Sequence, residues 1–200
     1  MLLEALQHAG REETGIRALT FENEILEGAR AAKLDFVKVR FVNCRFLACD
    51  FQKAGFYETA FEGCDLTGSF FEDSYWKNSL LKGCKAEGGR FAGAIFRASE
   101  ARDCRLSWAN FMGALWENSK LSGCVLKEAF FSEVKFKKAS FERCDLSGVD
   151  FFKTPLKGMD LTSCDIRALK VSESCAELKG VKLDMFQAAE VAKLLGVKIV

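Results

Sequence analysis

From Phe21 to Val171 every fifth residue is apolar, without exception. The run opens Phe21, Leu26, Ala31, Phe36, Phe41 and closes Phe151, Leu156, Leu161, Ile166, Val171. It holds thirty-one positions, fifteen of them Phe. Only 49% of the chain is hydrophobic, so a run of this length does not arise by chance. A period of five suits neither standard element. On an α-helix, five residues overshoot a full turn by about 140°, and no apolar stripe forms. On a straight strand, residues five apart alternate faces. The chain must turn by the same angle at each pentapeptide, bringing every centre back inside.

The cysteines set how many pentapeptides close one turn. Cys44, Cys64, Cys84, Cys104, Cys124, Cys144 and Cys164 lie two residues before a centre and recur every 20 residues. Phe51, Phe71, Phe91, Phe111, Phe131 and Phe151 form a second column with the same interval. Four pentapeptides therefore make one coil, and equivalent residues stack. The fold class is an all-β solenoid, a four-sided parallel β-helix with about 4.8 Å between coils. Roughly seven and a half coils give a rod of about 36 Å. Gly recurs two residues after the centre, as at Gly63, Gly83 and Gly123, where a tight corner is expected. Proline deletes a ladder hydrogen bond, and Pro155 is the only one.

Several blocks carry a family resemblance. Ala109-Asn110-Phe111-Met112-Gly113, Cys64-Asp65-Leu66-Thr67-Gly68 and Cys144-Asp145-Leu146-Ser147-Gly148 are similar to the pentapeptide repeat consensus A(D/N)LXX, with Cys taking the small Ala place. The resemblance covers about three quarters of the chain. It implies a right-handed quadrilateral β-helix.

A solenoid needs caps. Residues 1–16 are expected to form the first, its apolar part being Met1–Gln7. Residues 17–175 form the rod, and residues 176–200 a C-terminal helix and tail. Asp184 and Gln187 have capping-box spacing ahead of a strongly helical stretch; Gly196 stops it and Val197–Val200 trails. Met185, Phe186, Ala189, Ala192 and Leu195 offer more apolar surface than one coil needs. In several family members such a helix joins two rods tail to tail, so a homodimer through this segment is expected.

Charge and composition remove whole function classes. The formal net charge of +1 argues against direct nucleic-acid binding. No stretch approaches the length of a membrane span. The N-terminus lacks the basic and apolar regions of a secretory signal, which points to a reducing cytoplasm. The nine cysteines then read as thiols. Stacked thiols invite thoughts of metal or redox chemistry, but a linear column inside the rod cannot supply tetrahedral convergence. The column reads as core packing. Cys49 belongs to a neighbouring column, and Cys175, outside the register, is the expected exposed thiol. His8 is the only histidine and lies before the rod. With no phosphate loop and no nucleophile elbow, the chain is not expected to be an enzyme or to hold a metal or cofactor.

The register assigns every residue to a side. The side centred on Phe36, Phe56, Trp76, Phe96, Trp116, Phe136 and Leu156 carries seven basic and three acidic outward residues; the other three are balanced within one charge. Tyr75, Ile95 and Leu115 share one outward column there, flanked by Tyr57, Lys77 and Arg97. Lys135, Lys137, Lys138 and Lys157 follow. An apolar stripe rimmed by cations is the expected partner-binding surface of a protein-interaction scaffold. The alternative comes from the resemblance: some family members mimic B-DNA, bind DNA gyrase and protect it from quinolones. A DNA mimic needs a long negative stripe, and no side here has a net charge below −1.

Overall fold

The computed structural model describes residues 1–12 and 14–198; Glu13 and the last two residues of the expected tail, Ile199 and Val200, lie outside the described residues. Helix α1 (Leu2–Glu12) turns Leu2, Leu6 and Ala9 inward, a spacing that closes one stripe over the first coil. Strand pairing begins immediately after, at Ile16.

From Ile16 to Lys170 the rungs pair in parallel with residues 20 positions on. Phe36 pairs with Phe56, Phe56 with Trp76, Trp76 with Phe96, and Phe96 with Trp116. Two sides are seven-stranded sheets spanning about six turns. The third side starts as a two-stranded sheet, Ile25–Glu27 with Arg45–Leu47, and continues as single bridges up to Asp165. The fourth is a column of single bridges from Arg30 to Lys170. The expected four-sided solenoid is thus observed.

The corners explain why strands stop at three residues. Two residues past almost every centre, the backbone takes a left-handed φ, near +50° to +80°, which turns the chain through the corner. Gly63, Gly83 and Gly123 do so at little cost. The same conformation is imposed on Asn23, Lys53, Glu128 and even Trp108, where a side chain resists it. Ladder bonds on both sides of each corner outweigh that local preference.

Inside, the centres stack ring on ring. Phe51, Phe71, Phe91 and Phe111 lie 5.0–5.1 Å apart with interplanar angles of 4–13°. Around one coil the rings meet edge to face instead, as Phe41 does Phe46 at 5.3 Å and 87°. Residues two before the centre fill the tighter positions. The cysteine column is buried throughout, and its thiols donate to carbonyls of the preceding coil, as Cys64 does to Phe41 and Cys84 to Phe61, both at 3.3 Å. On another corner, Thr59, Ser79, Ser99 and Ser119 form a hydroxyl column. There the backbone N–H of one coil donates to the hydroxyl of the next, 3.1–3.2 Å away.

The regular stack loosens near its C-terminal end. Pro155 has no N–H to offer Val134, and the first side's sheet ends at Lys135–Lys137. Phe136 is accordingly half-buried, unlike the centres before it. The last pairing, Asp160 with Lys182, has slipped to a spacing of 22. A short 3-10 turn (Ala176–Leu178) buries Glu177, whose carboxylate accepts from the N–H groups of Lys153 and Ser172. Helix α2 (Met185–Leu194) then starts at the expected capping box: Asp184 accepts from the Gln187 N–H, and the Gln187 side chain accepts from the Asp184 N–H.

Candidate interaction surfaces

On the first side, pairing sets Tyr75, Ile95 and Leu115 side by side on adjacent rungs, with Lys77 and Arg97 two residues further along the same strands. The six expected residues do fall together. Their character differs from expectation: Tyr57, Tyr75, Ile95 and Leu115 are half-buried, while Lys77 and Arg97 are exposed. Long neighbours lie across the apolar groups. The Arg97 guanidinium sits 5.8 Å over the Tyr75 ring and donates to its hydroxyl at 3.4 Å, while also pairing with Glu117 at 2.8 Å. Tyr57 and Tyr75 pack with centroids 5.6 Å apart.

Gly55 makes this cluster possible. A Cβ there would lie 2.6 Å from the Tyr57 ring and collide with the Asp35 carboxylate, so only glycine lets both side chains fold across the rung. Burial, and then the charge of Asp35, raises the Tyr57 hydroxyl above the ordinary tyrosine pKa. The other end of this side is different. Among the described residues, Lys135, Lys137, Lys138 and Lys157 have no carboxylate within ion-pairing distance. The side thus joins a sealed aromatic cluster to unpaired cations.

At the C-terminus, α2 lies on the last coil through one polar contact. Gln187 is its buried residue, and its amide donates to the carbonyls of Leu161 and Cys164 at 2.8 and 2.7 Å. Ala189 and Ala192 are half-buried against the rod. Met185 and Phe186, each 78% exposed, point away from it with Leu195. Of the five expected dimer residues, these three present an uncovered apolar surface.

The register also held a signal that the choice of the first side passed over. Trp108, Met112, Phe130 and Phe152 are the large apolar side chains most exposed along the body of the rod, between its first coils and α2, at 58, 49, 43 and 43%. Met112, Phe130 and Phe152 occupy outward positions on the fourth side; Trp108 takes the corner beside it. Scoring each outward position for exposed aromatics, and not only for net charge per side, would have found them.

No convergence of chemistry accompanies these surfaces. Among the described residues no three His, Cys, Asp or Glu groups could hold a metal ion, and no helix is long and apolar enough to cross a membrane. A surface cleft of about 580 Å³ lies beside the first cap, with Arg30, Lys33, Asp35 and Asp50 on its walls. Cys175 is half-buried, and the other eight thiols are buried.

Models of the pentapeptide repeat region match residues 14–90 and 54–131, and models of pentapeptide repeats (8 copies) match residues 117–151 and 131–167. No curated protein matches the chain. Among solved structures, a trypsin-treated form of QnrB1, a plasmid-mediated fluoroquinolone resistance protein, is 24% identical. The match covers 92% of this chain and 99% of that one, with a TM-score of 0.54. HetL, a pentapeptide repeat protein involved in heterocyst differentiation regulation from the cyanobacterium Nostoc, is 14% identical. It matches over 88% of this chain and 92% of its own, with a TM-score of 0.59. At these identities the two neighbours share the fold.

Proposed function

The chain belongs to the pentapeptide repeat family, and from that premise we propose that it is a non-enzymatic protein-interaction scaffold. Its first side is the partner-binding surface, and α2 joins two copies. The observation that carries this reading is the joining of the Tyr57–Tyr75–Arg97 cluster to four lysines that have no acidic partner among the described residues, on one side of a rigid rod. A rod of stacked three-residue strands presents its outward side chains at fixed intervals. A partner segment that is apolar at one end and acidic at the other therefore meets a surface already in place.

The exposed Met185, Phe186 and Leu195 support a homodimer through α2, since burying them between two copies would remove that apolar surface from water. A gyrase-directed role remains the competing reading, with the fluoroquinolone resistance protein's similar fold in its favour. The balance of charge on the other three sides, and the excess of cations on the first, oppose it. Partner capture followed by direct binding with purified components tests the scaffold. Tyr75→Glu combined with Leu115→Glu is expected to abolish binding while leaving the thermal transition in place. Binding undiminished by the pair would reject the first side as the surface. A purified supercoiling assay is expected to show no effect, and inhibition of gyrase would favour the competing reading.

A further inference from the structure

The patch on the fourth side has an internal symmetry that identifies its occupant. Phe130 sits between Asn110 and Asp150 in one outward column, bridged to both. Met112 lies one rung before it in the neighbouring outward column, and Phe152 one rung after it. Trp108 lies one rung before it at the corner, and Gly148 one rung after it. A two-fold axis lying across the rod at Phe130 keeps each column in place and reverses the order of rungs. In a second, antiparallel copy, Phe130 therefore meets the partner's Phe130, and Met112 meets the partner's Phe152. Trp108 meets the partner's Gly148, a buried corner over which the partner's Glu128 is folded, so the indole lies against that side chain. Phe130, Met112 and Phe152 thus each fall opposite an apolar group, and the even rung spacing brings the three into register together.

Area agrees with that occupant, and ion pairs within each chain offset the like charges that it brings together. The charged groups around the patch are already paired within the chain: Arg90 with Glu72 at 2.6 Å, Lys153 with Glu133 at 3.2 Å, and Lys170 with Glu128. In the antiparallel arrangement Asp150 faces the partner's Asn110; Arg90 faces the partner's Lys170 and Glu133 the partner's Glu133, each already paired within its own chain. An aromatic side chain carries about 150–250 Å², so the four exposures amount to roughly 400 Å². A standard interface uses about 800 Å² per partner, a little over half of it apolar, which is what these residues and their rim supply.

We propose that this side of the rod is a self-association surface, on which a second copy docks side by side and antiparallel about Phe130. It is separate from α2 and from the Tyr75 side. Trp108 belongs to it: a left-handed corner is a poor place for a bulky side chain, and the indole is held outward there, mostly exposed.

Sedimentation equilibrium of the full chain tests the proposal, in a Phe186→Glu background that removes contact through α2. The protein is expected to dimerise in that background. Met112→Lys and Phe152→Asp are each expected to weaken the dimer by about tenfold or more. An equimolar mixture of the two variants is expected to recover it. One of its two equivalent contacts then holds Lys opposite Asp, and the other keeps Met112 against the partner's Phe152. No pairing within a single chain can produce that recovery. A monomer at the highest soluble concentration in the Phe186→Glu background would overturn the proposal. So would a dimer indifferent to both single variants, or a mixture that stays monomeric.

Discussion

The indole nitrogen of Trp76 donates to the hydroxyl of Ser74 at 2.8 Å, and that hydroxyl donates in turn to the Phe71 carbonyl at 2.6 Å. Two coils on, Trp116 stacks in the same column, but the residue two positions before it is Ala114. Its buried indole N–H has no partner among the described residues. An unsatisfied buried donor costs about 1–3 kcal/mol. Ala114→Ser is therefore expected to stabilise the rod by about 1 kcal/mol, read as a higher denaturant midpoint with unchanged slope. An unchanged or lower midpoint would show that the hydroxyl does not find the indole.

The hydroxyl column gives the opposite result on removal. The Ser79 N–H donates to the Ser99 hydroxyl, which itself donates to the Arg97 carbonyl at 3.0 Å. Ser99→Ala strands the Ser79 N–H in the interior and is expected to cost about 1–3 kcal/mol. Equilibrium unfolding measures the loss. Ala98→Ser, at an adjacent exposed corner, is the control and is expected to leave stability nearly unchanged.

Gln187 fastens α2 to the rod. Gln187→Leu leaves the Cys164 carbonyl without its Gln187 donor and the Leu161 carbonyl with only the Cys164 N–H, and it breaks half of the capping box, worth about 1 kcal/mol in itself. Hydrogen exchange should then be accelerated in residues 185–194, while the cysteine-column coils keep their protection. Equal acceleration in both would mean that the cap and rod open as one unit.

The thiols should behave as two classes. Cys175 is expected to react with a maleimide in the native protein, and the eight buried thiols only on unfolding. Their pH dependence has a definite sign. The stacked Cys124 thiol, and then burial, push Cys144 up to about 11; the stacked Cys104 thiol, and then burial, push Cys124 up to about 12. An unfolded cysteine ionises near 8.5, so above that pH the unfolded chain binds fewer protons than the folded one. Their contribution is fully present below about pH 8 and is lost as pH rises towards 11–12. Chemical denaturation at pH 7, 9 and 10.5 should show falling stability. Replacing Cys124 and Cys144 with Ala should flatten that fall, and an unaltered slope would sink the assignment.

The sequence by itself determined the solenoid, its four sides and the contents of each inner column. A period of five repeated through thirty-one positions leaves the backbone one way to bury its apolar groups, and the 20-residue recurrence of cysteine sets the coil. The capping box before α2 was equally legible, because its signal is local: Asp184 and Gln187 are three residues apart. What only the tertiary structure decided was exposure. Tyr75, Ile95 and Leu115 point outward as their register demands, yet side chains such as Arg97 cover them from neighbouring rungs. Phe130 and Phe152 occupy the same kind of outward position and stay more exposed, at 43% each, although the Lys153 ammonium lies 5.2 Å over the Phe152 ring. Register follows from backbone geometry, which repeats; coverage follows from long side chains choosing partners 18 to 42 residues away, and that choice is made only when the coils are stacked.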